Sequence, residues 1–193
     1  FQITRWGDVS AAVMDEAIKG LLKQLKELKV DKKCNTYLGI QEVLKKWLVF
    51  CPLVAELRSN AMRQRHWQAL MRLCNKSMNV SAQLTLRDLW TLDLHRCPDA
   101  VEEITDQAKQ EAKMEATLSK IAGVWSSVEF VFEQYKTKDP GGSDVNLAKM
   151  TDEEFEMLEE NQLQVQNMFS SRFLSTFEHE ASYWQTTLSN INE

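Results

Sequence analysis

Four side chains that could bind a metal ion lie in the first half of the chain: His66, Cys74, His95 and Cys97. Histidine nitrogens and cysteine thiolates are the ordinary ligands of zinc, and His95 and Cys97 are separated by one residue. However, the spacings among the four match no zinc finger, and the sequence has no HExxH motif. We therefore expect no metal site, and a small metalloenzyme is the weakest of three hypotheses for this chain.

Motifs of nucleotide and acyl-transfer chemistry are also absent from the sequence, which contains no GxxxxGK[ST], GxGxxG or GxSxG. The acidic pairs Glu102-Glu103, Glu153-Glu154 and Glu159-Glu160 are adjacent, and adjacent helical side chains point about 100° apart. Each pair is therefore typical of a solvated helix face. We assign no catalytic, cofactor-binding or metal-binding residue. The four cysteines are expected to be free thiols.

The densest polar and aromatic cluster is Arg63-Gln64-Arg65-His66-Trp67. It could contact nucleic acid or another protein, or it could be structural. The chain carries a net charge of −5 and no repeating basic and aromatic stripe, which argues against nucleic acid. We favour the structural interpretation, in which Trp67 packs inward and the arginines pair with acidic residues of the second half.

Composition indicates long helices, because 193 residues include only six glycines and three prolines. The charge is divided: residues 1–97 carry 16 basic and 9 acidic side chains, whereas residues 98–193 carry 7 and 19. This split predicts a basic helical half and an acidic long-helix half with different neighbours. Alternatively, the halves face each other, or the helix surfaces are simply solvated. No apolar run is long enough for a membrane span.

Apolar periodicity predicts the elements of the basic half. The first helix is expected at 8–29, with an inward stripe of Val13, Ala17, Leu21, Leu25 and Leu28. The second is expected at about 36–51, because Pro52 should stop it. The third should run from Ala61 to about Lys76, capped by Ser59 or Asn60.

The acidic half is predicted to contain one very long helix, about 99–136, that Pro98 opens. Seven apolar residues in it form a heptad seam: Met114, Leu118, Ile121, Trp125, Val128, Phe132 and Tyr135. A loop at 137–150 should follow, with Val145 to Met150 extended, and then one bent helix or two over 151–192. The fold class is therefore all-α, an elongated multi-helix bundle or arch. Because the chain starts at Phe1 without Met, we expect 1–193 to be a single partial domain of a longer protein.

Two segments carry a family resemblance: Cys51-Pro52-Leu53-Val54-Ala55-Glu56-Leu57 and Asn60-Ala61-Met62-Arg63-Gln64-Arg65-His66-Trp67. They resemble the signature block of the linker domain in dynein heavy chains. Leu84 to Leu94, Ala108 to Trp125 and Trp184 to Leu188 resemble later parts of the same region, and Leu158-Glu159-Glu160-Asn161-Gln162 is closer to axonemal dyneins. The structural signature residues are Pro52, Arg63, Arg65, His66, Trp67, Trp125 and Trp184.

The resemblance implies the N-terminal part of a linker, a helical lever lying across a ring of six AAA modules. Its implied partners are that ring, the dynein tail with intermediate and light chains, and neighbouring heavy chains. Microtubules, ATP and Mg would be bound only by the parent chain, and neither nucleic acid nor membrane is implied. The implied location is the cytoskeleton, in the axoneme of a cilium or flagellum. The competing hypothesis is a static helical scaffold or adaptor for protein–protein interaction.

Overall fold

A computed structural model describes residues 4–81, 83–135 and 145–192. The all-α prediction is confirmed for these residues, which form seven α-helices and one small antiparallel sheet. The helices are α1 Ala11–Glu27, α2 Asn35–Leu57, α3 Gln64–Leu73, α4 Leu86–Trp90, α5 Pro98–Trp125, α6 Asp152–Phe169 and α7 Glu178–Asn192. The strands are β1 Val131–Tyr135 and β2 Val145–Lys149, and Val131 pairs with Lys149. No helix in the described ranges has the length and apolar character needed to cross a membrane.

The chain divides into two compact units, with the boundary between Lys109 and Gln110 inside α5. The N-terminal unit contains α1 to α4 and the first part of α5. The C-terminal unit contains the rest of α5, the sheet, α6 and α7. The predicted single partial domain, and the division into a basic half 1–97 and an acidic half 98–193 with different neighbours, stay predictions.

The buried face of α1 differs from the predicted stripe. Met14, Ile18 and Leu25 are buried, whereas Val13 and Leu21 are about half exposed. The helix has two interleaved apolar stripes, and a spacing of three and four residues fits both equally well. Packing against α2 determines which of the two stripes is buried, since α1 lies along that helix.

Helix α2 continues through Pro52 to Leu57, so the prediction that Pro52 stops it is wrong. An interior proline costs about 3 kcal/mol because it removes one hydrogen bond and crowds the preceding turn. The Pro52 ring is exposed, while Cys51, Leu53 and Val54 around it are buried. Burial of this turn in the core offsets the cost.

Helix α5 ends at Trp125, so the very long helix predicted at 99–136 is wrong in its last third. The hydroxyls of Ser126 and Ser127 donate back to the Gly123 and Val124 carbonyls, which competes with helix continuation. Of the predicted seam, Met114, Leu118 and Ile121 are buried in α5. Phe132 and Tyr135 instead belong to β1.

The predicted loop at 137–150 is only partly described, because residues 136–144 lie outside the described ranges. Val145–Lys149 forms β2, which confirms the extended segment predicted there. Residues 152–192 form two helices rather than one bent helix. The core of the C-terminal unit combines residues from all three of its helices: Met114, Leu118, Ile121, Leu158, Val165, Met168, Trp184 and Leu188.

Candidate functional site

The start of α3 is fixed by a local hydrogen bond between a backbone amide and an imidazole. Arg63 is the N-cap, and its backbone N–H donates to Nδ1 of His66 at 3.0 Å. The neutral ring therefore carries its proton on Nε2. The predicted start at Ala61 is wrong, since Ser59 Oγ accepts from the Ala61 N–H and closes a turn before the helix begins. His66 and Trp67 are both buried, Arg65 is half-buried and Arg63 is exposed.

Trp67 joins α3 to the segment that precedes α1. Its ring packs edge to face against Trp6, with ring centroids 6.2 Å apart. The backbone N–H of Trp6 donates to the Leu84 carbonyl at 2.7 Å, and the backbone N–H of Leu86 donates to the Thr4 carbonyl at 3.2 Å. Trp67 therefore contacts a short extended pairing between residues 4–6 and 84–86.

A second tie to this segment comes from Arg58, directly after α2. Its guanidinium donates to the Val9 carbonyl and, at 3.1 Å, to the Gly7 carbonyl. Gly7 lies within the 3-10 turn Trp6–Asp8, and Val9 is its C-cap. Sequence analysis missed both Arg58 and Trp6, because their partners lie about 50 residues or more away and no local pattern marks them.

Aromatic rings form a compact cluster beside the α1–α2 pair. Trp47 stacks on Trp90 with centroids 4.2 Å apart and an interplanar angle of 8°, and Phe50 meets both rings edge to face. The His95 ring also stacks on Trp90, with centroids 5.5 Å apart. Burial lowers the pKa of His95, and its buried Nδ1 has no hydrogen-bond partner among the described atoms.

Of the four residues considered as metal ligands, the structure brings only the two cysteines together. Cys97 lies beside Cys74, and burial, together with this neighbouring thiol, raises the pKa of Cys74 to about 11. His66 is held at the start of α3 and His95 in the aromatic cluster. Within the described ranges, no three His, Cys, Asp or Glu side chains are placed to hold a metal ion.

A polar contact links α2 to α5 inside the N-terminal unit. The hydroxyl of Thr105, which is fully buried, donates to Glu56 Oε2 at 2.8 Å, and Lys109 Nζ donates to the same oxygen at 3.0 Å. These donors, the Thr105 hydroxyl first, lower the pKa of Glu56. Lys109 also pairs with Asp106 at 3.2 Å.

The two remaining signature residues lie in the C-terminal unit. Trp184 is buried on α7 in the core of that unit and meets Tyr183 edge to face at 5.4 Å. Trp125 is half-buried at the end of α5 and packs against the same core. Its indole N–H has no acceptor among the described atoms.

Comparison with known proteins identifies the family to which these packed helices belong. The family model described as "Dynein heavy chain, N-terminal region 2" matches residues 1–193. The chain belongs to the dynein heavy chain family. The sequence resemblance is therefore confirmed.

Three relatives illustrate which dyneins are similar. The chain is 40% identical over 190 residues to the dynein alpha chain of the flagellar outer arm of Chlamydomonas reinhardtii, covering 97% of this chain. It is 32% identical over 193 residues, all of this chain, to the ciliary dynein beta chain of Tripneustes gratilla and to human dynein axonemal heavy chain 17. It spans only 4% of the length of each relative.

All three relatives are ciliary, flagellar or axonemal dyneins, which confirms the prediction of an axonemal dynein and of a cytoskeletal, axonemal location. Within this dynein segment, the signature residues divide between the two units. Pro52, Arg63, Arg65, His66 and Trp67 lie in the N-terminal unit, and Trp125 and Trp184 in the C-terminal unit. The contacts around His66 and Trp67 can hold α3 against the paired segments 4–6 and 84–86.

Proposed function

We propose that this chain is a mechanical lever segment of a dynein linker, and that it carries force between an AAA ring and the tail of the same heavy chain. The observation that carries the proposal is the match of the whole chain to the dynein heavy chain N-terminal region. The packing around Trp67 supports it, because a lever must resist deformation under load. Closely packed interiors have low compressibility and transmit strain.

The signature block is suited to this role because it ties together segments distant in sequence. His66 fixes the start of α3, Trp67 contacts Trp6, and residues 4–6 pair with 84–86. Arg58 holds the same N-terminal segment from the end of α2. A load applied to residues 4–9 would therefore be shared by α2, α3 and the segment before α4.

Chemistry in this proposal belongs to the rest of the heavy chain. ATP and Mg would bind in the AAA ring, and the segment itself would have no catalytic site, in line with its lack of phosphate-binding motifs. The tail with its intermediate and light chains, and neighbouring heavy chains, would be the other partners. Microtubules would be contacted only through the parent chain.

The experiment is to weaken the junction in the complete heavy chain and measure movement and ATP turnover separately. In His66→Ala/Trp67→Ala, we expect microtubule gliding velocity to fall severalfold while basal ATPase activity stays near wild type. The matched control is Leu38→Ser/Val49→Ser, two exposed apolar residues of α2. Gliding that follows ATPase activity in every variant would contradict the lever and favour a static scaffold.

A further inference from the structure

Two cysteines of the N-terminal unit lie side by side, although 22 residues separate them in the sequence. Cys74 is the C-cap of α3, and Cys97 directly precedes α5. Both are partly exposed, and both pack against the same hydrophobic core. Burial and then the Cys97 thiol raise the pKa of Cys74, and a neighbouring group has such an effect within about 4–6 Å. The two sulfurs are therefore close enough to react with each other.

An ion pair next to the cysteines holds their two chain segments together. Lys76 Nζ donates to Asp93 Oδ2 at 2.7 Å, and it also donates to the Thr91 carbonyl. Lys76 follows Cys74 by two residues, and Asp93 precedes Cys97 by four. The end of α3 and the turn before α5 are therefore fixed against each other by contacts that do not involve the thiols.

The other two cysteines have different surroundings, which makes them controls. Cys51 is 1% exposed in the core, and its electrostatic neighbours are Asp15 and Lys19. Cys34 is exposed at the N-cap of α2, where its sulfur accepts a hydrogen bond from the Tyr37 N–H at 3.4 Å. A reagent that simply modifies accessible thiols would therefore react with Cys34 first.

We propose that Cys74 and Cys97 are a redox-sensitive pair, which forms a disulfide between the end of α3 and the start of α5 when glutathione disulfide accumulates. All four cysteines of the chain are free in the structure, so it represents the reduced state. In the cytoskeletal location of an axonemal dynein, thiols are ordinarily kept reduced, and the disulfides that do form there are transient and redox-sensing. The pair is therefore a switch rather than a permanent crosslink.

The reaction consists of two thiol–disulfide exchanges. The Cys97 thiol loses its proton, and its thiolate attacks one sulfur of glutathione disulfide, which forms a mixed disulfide and releases one glutathione thiolate. The Cys74 thiol then loses its proton and attacks the Cys97 sulfur, which forms the Cys74–Cys97 bond and releases the second glutathione thiolate. Each released thiolate takes up a proton, so the protein loses two electrons and two protons and glutathione disulfide becomes two glutathione thiols.

The order of attack follows from the state of Cys74. Its pKa of about 11 leaves it almost entirely protonated at neutral pH, and only a thiolate attacks a disulfide. Cys97 therefore makes the first attack on the free reagent. Cys74 makes the second, in which the neighbouring mixed disulfide is held next to it by the fold and compensates for the small thiolate fraction.

The disulfide closes a loop of residues 75–96, which contains α4 and the Trp90 ring of the aromatic cluster. A crosslink of this kind acts mainly by restricting unfolded and partly opened states. Oxidation should therefore suppress local opening of this loop while leaving the folded arrangement in place.

The test uses the purified full-length heavy chain, first fully reduced and then incubated with either glutathione disulfide or reduced glutathione. Remaining thiols are blocked with iodoacetamide, and the chain is digested with trypsin. Cleavage after lysine and arginine places Cys74 in peptide 73–76 and Cys97 in peptide 97–109. Mass spectrometry should find these two peptides joined by a disulfide after glutathione disulfide and separate after reduced glutathione. Separate peptides under both conditions, or Cys97 joined to a different cysteine, would overturn the proposal.

Single variants test the order of the two steps. Cys74→Ser should stop the reaction at the mixed disulfide, so that glutathione stays on Cys97. Cys97→Ser should leave Cys74 mostly unmodified, with at least about tenfold less glutathione bound after the same incubation. The opposite ranking of the two adducts would overturn the proposed mechanism. Cys34→Ser is the matched control and should form the 73–76 to 97–109 linkage as the wild type does.

Hydrogen exchange of the unmutated heavy chain then tests whether the disulfide changes the protein. Backbone amides of residues 75–96 should exchange severalfold more slowly in the oxidised chain than in the reduced chain, because the closed loop opens less often. Amides of α6, in the C-terminal unit, should exchange equally in both. Exchange of residues 75–96 that is unchanged by a fully formed disulfide, or faster, would overturn the proposed switch.

Discussion

The backbone N–H of Arg63 donates a 3.0 Å hydrogen bond to Nδ1 of the buried His66 ring, and this contact sets where α3 begins. An imidazole three residues into a helix here accepts a hydrogen bond usually accepted by a glutamate or glutamine at that position. The contact also orients the next residue, Trp67, towards Trp6.

Two substitutions of His66 should therefore distinguish the stability that comes from the hydrogen bond from the stability that comes from packing of the ring. We expect His66→Ala to lower the free energy of unfolding by about 2–4 kcal/mol, because it removes the acceptor of the Arg63 amide and leaves a cavity where the buried ring was. His66→Asn offers an oxygen near the position of Nδ1 and should recover about 1 kcal/mol of that loss. Urea unfolding of the 193-residue chain measures both. Equal losses in the two variants would show that Nδ1 does not matter.

The buried stripe of α1 can be checked with two neighbouring residues. Met14→Ala should cost about 2–5 kcal/mol, because Met14 is 1% exposed in the core. Val13→Ala should change stability by no more than about 0.5 kcal/mol, since Val13 is 58% exposed. Thermal melting of both variants would decide. A larger loss for Val13 would mean that the originally predicted stripe packs inward after all.

The Glu56 contact predicts a dependence of stability on acid. The folded-state pKa of Glu56 is below its ordinary value, so its stabilising contribution is present above about pH 4.5 and is lost as pH falls through the folded pKa. Thr105→Val removes the main donor and should flatten the acid side of the stability curve. Thr105→Ser keeps a hydroxyl and should restore the slope. A Thr105→Val curve parallel to wild type below pH 5 would count against the contact.

Burial of His95 predicts a second pH-dependent change in stability, at a pH nearer to neutral. Its folded pKa lies below about 6.5, so on acidification the unfolded chain takes up a proton before the folded chain does. Stability should fall as pH drops from about 6.5 to the folded pKa of His95 and then become independent of this group. His95→Phe keeps a ring against Trp90 and should remove this component of the curve. Melting temperatures at pH 7.5 and 5.5 test it, and an unchanged difference in His95→Phe would contradict the assignment.

Local signals in the sequence were sufficient for several features of the fold. Pro98 opens α5 as predicted, and the three-residue spacing of Thr85 with Asp88 and of Thr151 with Glu154, which is visible in the sequence, forms the capping boxes that start α4 and α6. In each case the residues that decide the structure lie within three positions of each other in the sequence. The hydrogen bond or fixed dihedral involved forms within one turn, whatever the rest of the chain does.

Two of the errors have nonlocal causes, whereas the ends of α3 and α5 were missed because short-range side-chain hydrogen bonds of Ser59, Ser126 and Ser127 were overlooked. The face of α1 depends on which residues of α2 meet it, and α2 passes Pro52 because core packing outweighs a local penalty. The contacts of Arg58 and Trp6 join residues too far apart for any periodic pattern. For the candidate site, sequence analysis correctly predicted a buried Trp67 but did not reveal the segment it holds.

The central claim, that this segment bears the load of a dynein linker, is tested most directly by the stall force of single heavy chains in an optical trap. Trp67→Ala removes a side chain at the junction whose residue is only 6% exposed, and should destabilise the N-terminal unit by about 3–5 kcal/mol. We predict a stall force reduced by about half or more, with ATP turnover of the free motor unchanged. A stall force equal to wild type, in a variant whose melting temperature has clearly fallen, would contradict the lever.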